Sequence, residues 1–108
     1  MLNLTKDNFD STIAKGKALV DFYTDWCGHC RIIAPVIEEL SVKYADSVVV
    51  AKVDADSQSE LAKRYGINTY PTVVLFEGGK ETAREIGSHP MEVFEEMLGA
   101  SSQAQITI

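Results

Sequence analysis

The stretch Val20-Asp21-Phe22-Tyr23-Thr24-Asp25-Trp26-Cys27-Gly28-His29-Cys30, "VDFYTDWCGHC", decides how the chain folds. It begins as an apolar strand, Ala18–Tyr23, interrupted by one carboxylate. A short turn follows, then both cysteines of the chain, two residues apart. Beyond them Ile33, Val36, Ile37, Leu40 and Tyr44 recur at the spacing of one helical face. Pro35 lies inside that pattern and predicts a kink. The stretch therefore reads as strand, turn and helix. The cysteines fall at the carboxyl edge of a sheet, where α/β folds bind their ligands.

Working outward, strands and helices alternate. Thr5 is placed to cap a short helix over Asp7–Lys15, with Phe9 and Ile13 on one face. Val48-Val49-Val50-Ala51-Lys52-Val53 is β-branched and apolar, as a central strand should be. Ser57 and Glu60 match a capping box for a helix through Tyr65, with Gly66 to end it. Thr72-Val73-Val74-Leu75-Phe76 reads as a buried strand. Gly78-Gly79 makes a two-residue hairpin turn into Lys80–Ile86. Ser88 is placed to cap a last helix carrying Met91, Phe94, Met97 and Leu98, and Gly99 to close it. The expected fold is a single α/β domain over residues 1–108. A mixed sheet of about five strands is flanked by about four helices. Residues 100–108 read as a loose C-terminal tail.

Composition narrows the function. Sixteen acidic residues against ten basic ones give a net charge of −6 in 108 residues. Nucleic-acid binders usually carry a basic face, so no nucleic-acid partner is expected. Docking on anionic membranes is disfavoured for the same reason. No apolar run reaches spanning length, and no apolar h-region follows Met1. The sequence reads as a cytoplasmic protein.

The two cysteines admit three uses. Structural zinc wants four ligands, and the chain offers Cys27, Cys30, His29 and His89, with His29 wedged between the cysteines. No metal is expected. Asp54 and Asp56 begin like a calcium loop, but Ser59 and Tyr65 stand where glycine and glutamate are needed. A structural bridge across so short a loop contributes about 2 kcal/mol and would not persist in a reducing cytosol. The redox use remains. At the start of a helix, unpaired N–H groups favour a Cys27 thiolate, the attacking species in disulfide exchange. Cys30, one turn on, is placed to attack the mixed disulfide. Gly28 keeps the space between them clear. His29 is either an idle surface residue or a donor near Cys27 that stabilises the reduced pair and makes its disulfide more oxidising. Asp21, alone in an apolar strand, should have a raised pKa suited to acid–base work, unless Lys52 merely satisfies it.

"VDFYTDWCGHC", then "YPTVVLF", then "GG", then "IG" before a final helix resemble the thioredoxin family, over residues 2–99. The resemblance implies the thioredoxin fold. It implies reduction of disulfide-containing client proteins by a monomer, recharged by an NADPH-linked thioredoxin reductase with no tightly bound cofactor. It makes Cys27 the exposed nucleophile, Cys30 the buried resolving thiol, and Asp21 the carboxylate assisting proton transfer, with Lys52 nearby. Pro71 matches a proline the family holds in cis. Tyr70 would pair with an extended client segment. Trp26, Ile86 and Gly87 would complete an apolar docking surface. His29 departs from the pattern, since most thioredoxins carry proline there. "WCGHC" is instead similar to the active loop of protein disulfide isomerase domains, which makes oxidase or isomerase activity the alternative. A non-enzymatic binding module would leave the cysteines incidental, and Cys27→Ser would then be silent.

Overall fold

A computed structural model describes the backbone of residues 1–106 and the side chains of residues 1–99. Its elements are β1 (Leu2–Asn3), α1 (Phe9–Ile13), β2 (Lys17–Tyr23), α2 (Gly28–Lys43), β3 (Val48–Asp54), α3 (Ser59–Arg64), β4 (Thr72–Glu77), β5 (Lys80–Ile86) and α4 (Met91–Ile106). Among the described residues they form a five-stranded sheet in the order β1-β3-β2-β4-β5. β1 and β2 flank β3 in parallel, while β4 runs antiparallel to both β2 and β5.

β2 lies at the centre because it is apolar on both faces, and Ala18 to Phe22 are all buried. Alternation then divides its side chains. Ala18, Val20 and Phe22 join Phe9, Ile13, Leu61 and Phe76 on the side covered by α1 and α3. Leu19 joins Ile33, Ile37, Leu40, Phe94 and Met97 on the side covered by α2 and α4. Asp21 shares the parity of Leu19 and so belongs to the α2 side. Its direct register partner in β3 is Lys52.

Local signals held in some places and moved in others. Gly66 at φ 65° ends α3, with the Ile67 N–H returning to the Ala62 carbonyl at 2.9 Å. Gly78 and Gly79, at φ 60° and 87°, make the hairpin turn that only glycine enters cheaply. The expected capping box does not form. Ser57 Oγ donates backward to the Asp54 carbonyl at 3.3 Å, and α3 starts two residues later behind Gln58. Thr5 Oγ1 accepts the Asp7 N–H at 3.2 Å and its carbonyl the Phe9 N–H at 2.9 Å, as a cap does, but this closes a turn ahead of the helix and α1 itself runs only over Phe9–Ile13. Ser88 is not the cap of α4. His89 folds back onto the Ile86 carbonyl at 2.8 Å, and the helix begins at Met91 after Pro90. Nor does Gly99 close it, since the helix runs on to Ile106. The side chains on which the expectation of a loose tail over 100–108 rests lie outside the described residues. β1 was not foreseen, because two residues carry no period.

Candidate active site

α2 starts directly behind the turn that leaves β2, and Cys27 is its N-cap. Its sulfur does what a serine or aspartate oxygen does at that position. It accepts the Cys30 N–H at 3.1 Å, one of the donors the first helical turn leaves unpaired. The Cys27 thiol in turn donates to the Tyr70 carbonyl at 3.4 Å. That carbonyl precedes Pro71 across a cis peptide bond. Both thiols are free. Cys27 was expected to be exposed, yet it is only 7% exposed against 4% for Cys30. Its capping role and the Tyr70 carbonyl draw the sulfur into the surface.

Cys30 faces inward. Burial first, and then the hydrogen bond and charge of Cys27, push its thiol well above the usual range. Behind it lies a cavity of about 230 Å³ lined by Asp21, Tyr23, Thr24, Cys30, Lys52 and residues of α2. Asp21 is 6% exposed, and burial pushes its carboxyl up to about 7, against the opposing pull of Lys52. The Lys52 ammonium itself sits 5.5 Å from the centre of the Tyr23 ring. Among the described residues, Asp21 Oδ1 and Thr24 Oγ1 are the buried side-chain polar atoms with no hydrogen-bond partner.

Around the sulfur pair the surface is apolar. Trp26 is 68% exposed and Ile86 53%. Trp26 is nevertheless fixed: its indole N–H donates to Asp56 Oδ2 at 2.9 Å, and its ring meets Tyr70 edge-on at 6.3 Å. The Gly87 N–H donates to the Pro71 carbonyl at 2.8 Å, which ties the end of β5 to the proline turn. A Cβ built on Gly28 would meet nothing within 4 Å, so the space beside the cysteines is open. His29 is exposed on the first turn of α2 and makes no hydrogen bond or ion pair among the described residues.

The structure thus brings together Trp26, Cys27, Gly28, Cys30, Tyr70, Pro71, Ile86 and Gly87 at one edge of the sheet. Asp21 and Lys52 lie behind, on the α2 side, and His29 lies outside. Asp56 and Thr24 were not singled out from the sequence. By sequence the acidic pair Asp54 and Asp56 suggests only the start of a cation loop, whereas in the structure Asp56 holds Trp26. Thr24 looked like an ordinary turn residue, and only its burial marks it. Among the described residues no group of three or more His, Cys, Asp or Glu side chains is arranged to hold a metal, and no helix is long and apolar enough to cross a membrane.

Comparison with known proteins agrees with this arrangement. The sequence model of the Thioredoxin family matches residues 1–100. The thioredoxin of Alicyclobacillus acidocaldarius is 43% identical over 98 residues, covering 90% of this chain and 93% of that protein. That of Chlamydia pneumoniae is 37% identical over 95 residues, covering 88% and 92%. That of Staphylococcus aureus is 36% identical over 98 residues, covering 91% and 94%. A match along nearly the whole chain, with a C-x-x-C pair capping the helix that follows the central strand, leads to one assignment: the chain belongs to the thioredoxin family and is a thiol–disulfide oxidoreductase.

Proposed function

We propose that the protein reduces disulfides in client proteins, with Cys27 as nucleophile and Cys30 as resolving thiol. The observation that carries this is the seat of the Cys27 sulfur. It takes the Cys30 N–H at 3.1 Å and lies 3.4 Å from the Tyr70 carbonyl, beside an exposed apolar edge. The Cys27 thiolate attacks one sulfur of the client disulfide. A Cys27–client bond forms, the client bond breaks, and the first client sulfur leaves as a thiolate. Cys30 then attacks the Cys27 sulfur. The Cys27–Cys30 bond forms and the second client sulfur leaves. Two electrons have passed to the client. Asp21 takes the Cys30 proton, a task suited to a carboxyl titrating at about 7. Lys52 opposes the effect of burial on that carboxyl.

Clients pair their backbone with Tyr70 and rest on Trp26, Ile86 and Gly87 beside Pro71. Gly28 leaves their approach clear. A thioredoxin reductase restores the dithiol with electrons from NADPH, so the protein itself holds no tight cofactor. It works as a monomer in the cytoplasm. In a coupled assay with NADPH, reductase and a protein disulfide, Cys27→Ser should lose turnover altogether. Cys30→Ser should stall as a mixed disulfide visible on a non-reducing gel. Turnover by Cys27→Ser would overturn the assignment of the nucleophile.

His29, exposed beside the helix start, favours the oxidase or isomerase direction, and the potential of the pair separates the two. Equilibration with glutathione buffers should give a value nearer the roughly −270 mV of thioredoxin than the roughly −180 mV of protein disulfide isomerase. His29→Pro should lower it. A value near the second reference would make the protein an oxidant or isomerase.

A further inference from the structure

Among the described residues, two buried side-chain oxygens lack a protein partner, and both belong to residues lining one cavity. Asp21 Oδ1 and Thr24 Oγ1 accept or donate no hydrogen bond within the described protein. Thr24 is 1% exposed. Leaving such a group unpaired costs about 1–3 kcal/mol, so each calls for an account. The cavity of about 230 Å³ supplies one, because Asp21, Thr24 and Cys30 all line it. It is roomy enough for several waters at about 30 Å³ each, and Asp21, Thr24 and Lys52 are among the residues that line it. Thr24 is tied to Cys30 a second way. Its backbone lies close enough to favour the Cys30 thiolate against the effect of burial.

We propose that Thr24 is a positioning residue for the resolving step: its hydroxyl holds water in the cavity so that the Cys30 proton reaches Asp21. This rests on the reading of Cys30 as the resolving thiol and Asp21 as its proton acceptor. The side chains of Asp21 and Thr24 bond neither each other nor Cys30, so the proton needs a carrier. Cys30 gives its proton to the water, and the water gives one of its own to the Asp21 carboxylate. The Cys30 sulfur then forms its bond to Cys27 as the Cys27–client bond breaks. The client sulfur leaves as a thiolate and is protonated by solvent. The pair is oxidised, the client reduced, and the water and Thr24 end unchanged.

Thr24→Val replaces only the hydroxyl by a methyl group. In single-turnover experiments on the full chain, it should slow resolution of the mixed disulfide about tenfold and move the pH profile of that step upward, a loss within the range of general acid–base effects. The first attack, read in a Cys30→Ala background, should change less than twofold. Thr24→Ser should restore resolution. If Thr24→Val folds poorly, the contrast of Thr24→Ala with Thr24→Ser carries the same information. Resolution at the parent rate and profile without the hydroxyl would overturn the inference. Asp21→Asn run alongside separates the two levels. If it slows resolution and Thr24→Val does not, Thr24 has no such role and Asp21 keeps its own. If neither slows it, the assignment of Asp21 fails and takes Thr24 with it.

Discussion

The two faces of the sheet are made from the same strand and are unlike in kind. On the α1 and α3 side, Phe9, Phe22, Tyr65 and Phe76 close the core with ring centroids between 5.1 and 6.3 Å apart. No unpartnered buried polar atom of the described residues belongs to that cluster. On the α2 and α4 side the same strand sends in Asp21, opposite Lys52, behind a thiol and a cavity. A period of two lets one strand serve both ends. Phe22 and Asp21 are chain neighbours, yet one anchors the core and the other holds a charge the core disfavours.

The largest expected effect breaks the aromatic side. Phe22 is fully buried, and Phe22→Ala should cost about 3–5 kcal/mol, read as a lower urea midpoint at unchanged slope. A loss under about 1 kcal/mol would mean that this face is not the stabilising one.

Asp21 should behave oppositely. Its carboxyl binds a proton more tightly folded than unfolded, since burial lifts it from 3.8 to about 7. The stability this represents is fully present below about pH 4 and is lost as the pH rises to about 7, by roughly 4 kcal/mol at most. Asp21→Asn removes that titration. Its stability relative to the parent should therefore climb across this pH window and level off above it. Denaturant melts at pH 4 and pH 8 check the sign, and an equal difference at both would refute the burial argument.

Lys52→Met comes next and changes the same group more gently. Lys52 acts on Asp21 by lowering its carboxyl, so the variant should titrate Asp21 higher than the parent does. Carbon chemical shifts of the Asp21 carboxyl against pH measure this directly. An unchanged titration would mean that Lys52 is held too far off, over the Tyr23 ring, to matter.

The reacting groups were legible in the sequence, and the face they share was not. A lone carboxylate in Ala18–Tyr23 and a C-x-x-C before a helical period of Ile33, Ile37 and Leu40 marked Asp21 and the cysteines, while their common place on the α2 side comes from the structure. The hairpin glycines and Gly66 were legible too, because each needs a positive φ that few other residues adopt. Helix starts were not. Ser57, Thr5 and Ser88 all have capping chemistry. Two of these hydroxyls are spent on the preceding turns, and at Ser88 the chain folds back through His89 before the helix begins. Such competition is local geometry, and a residue type does not reveal it. Asp56 and Thr24 escaped for a different reason. One acts on Trp26 thirty positions away, and the other is marked only by being buried.

The smallest expected effect concerns Gly28, where fold and approach can be told apart. Gly28 opens α2, has no positive φ, and has nothing within 4 Å of where a Cβ would lie. The fold therefore does not demand glycine. Gly28→Ala should leave stability within about 0.5 kcal/mol of the parent or raise it slightly, since alanine is the better helix former. If the open space serves the client instead, the same methyl group should raise KM for a protein disulfide severalfold. It should leave the rate with a small aromatic disulfide nearly untouched, because that substrate has no chain to lay along Tyr70. A loss of more than about 1 kcal/mol in a urea melt would make Gly28 a structural residue. An unchanged KM would instead remove it from the docking surface. On the site face, unlike the aromatic face, a residue can then be required by what approaches rather than by what it packs against.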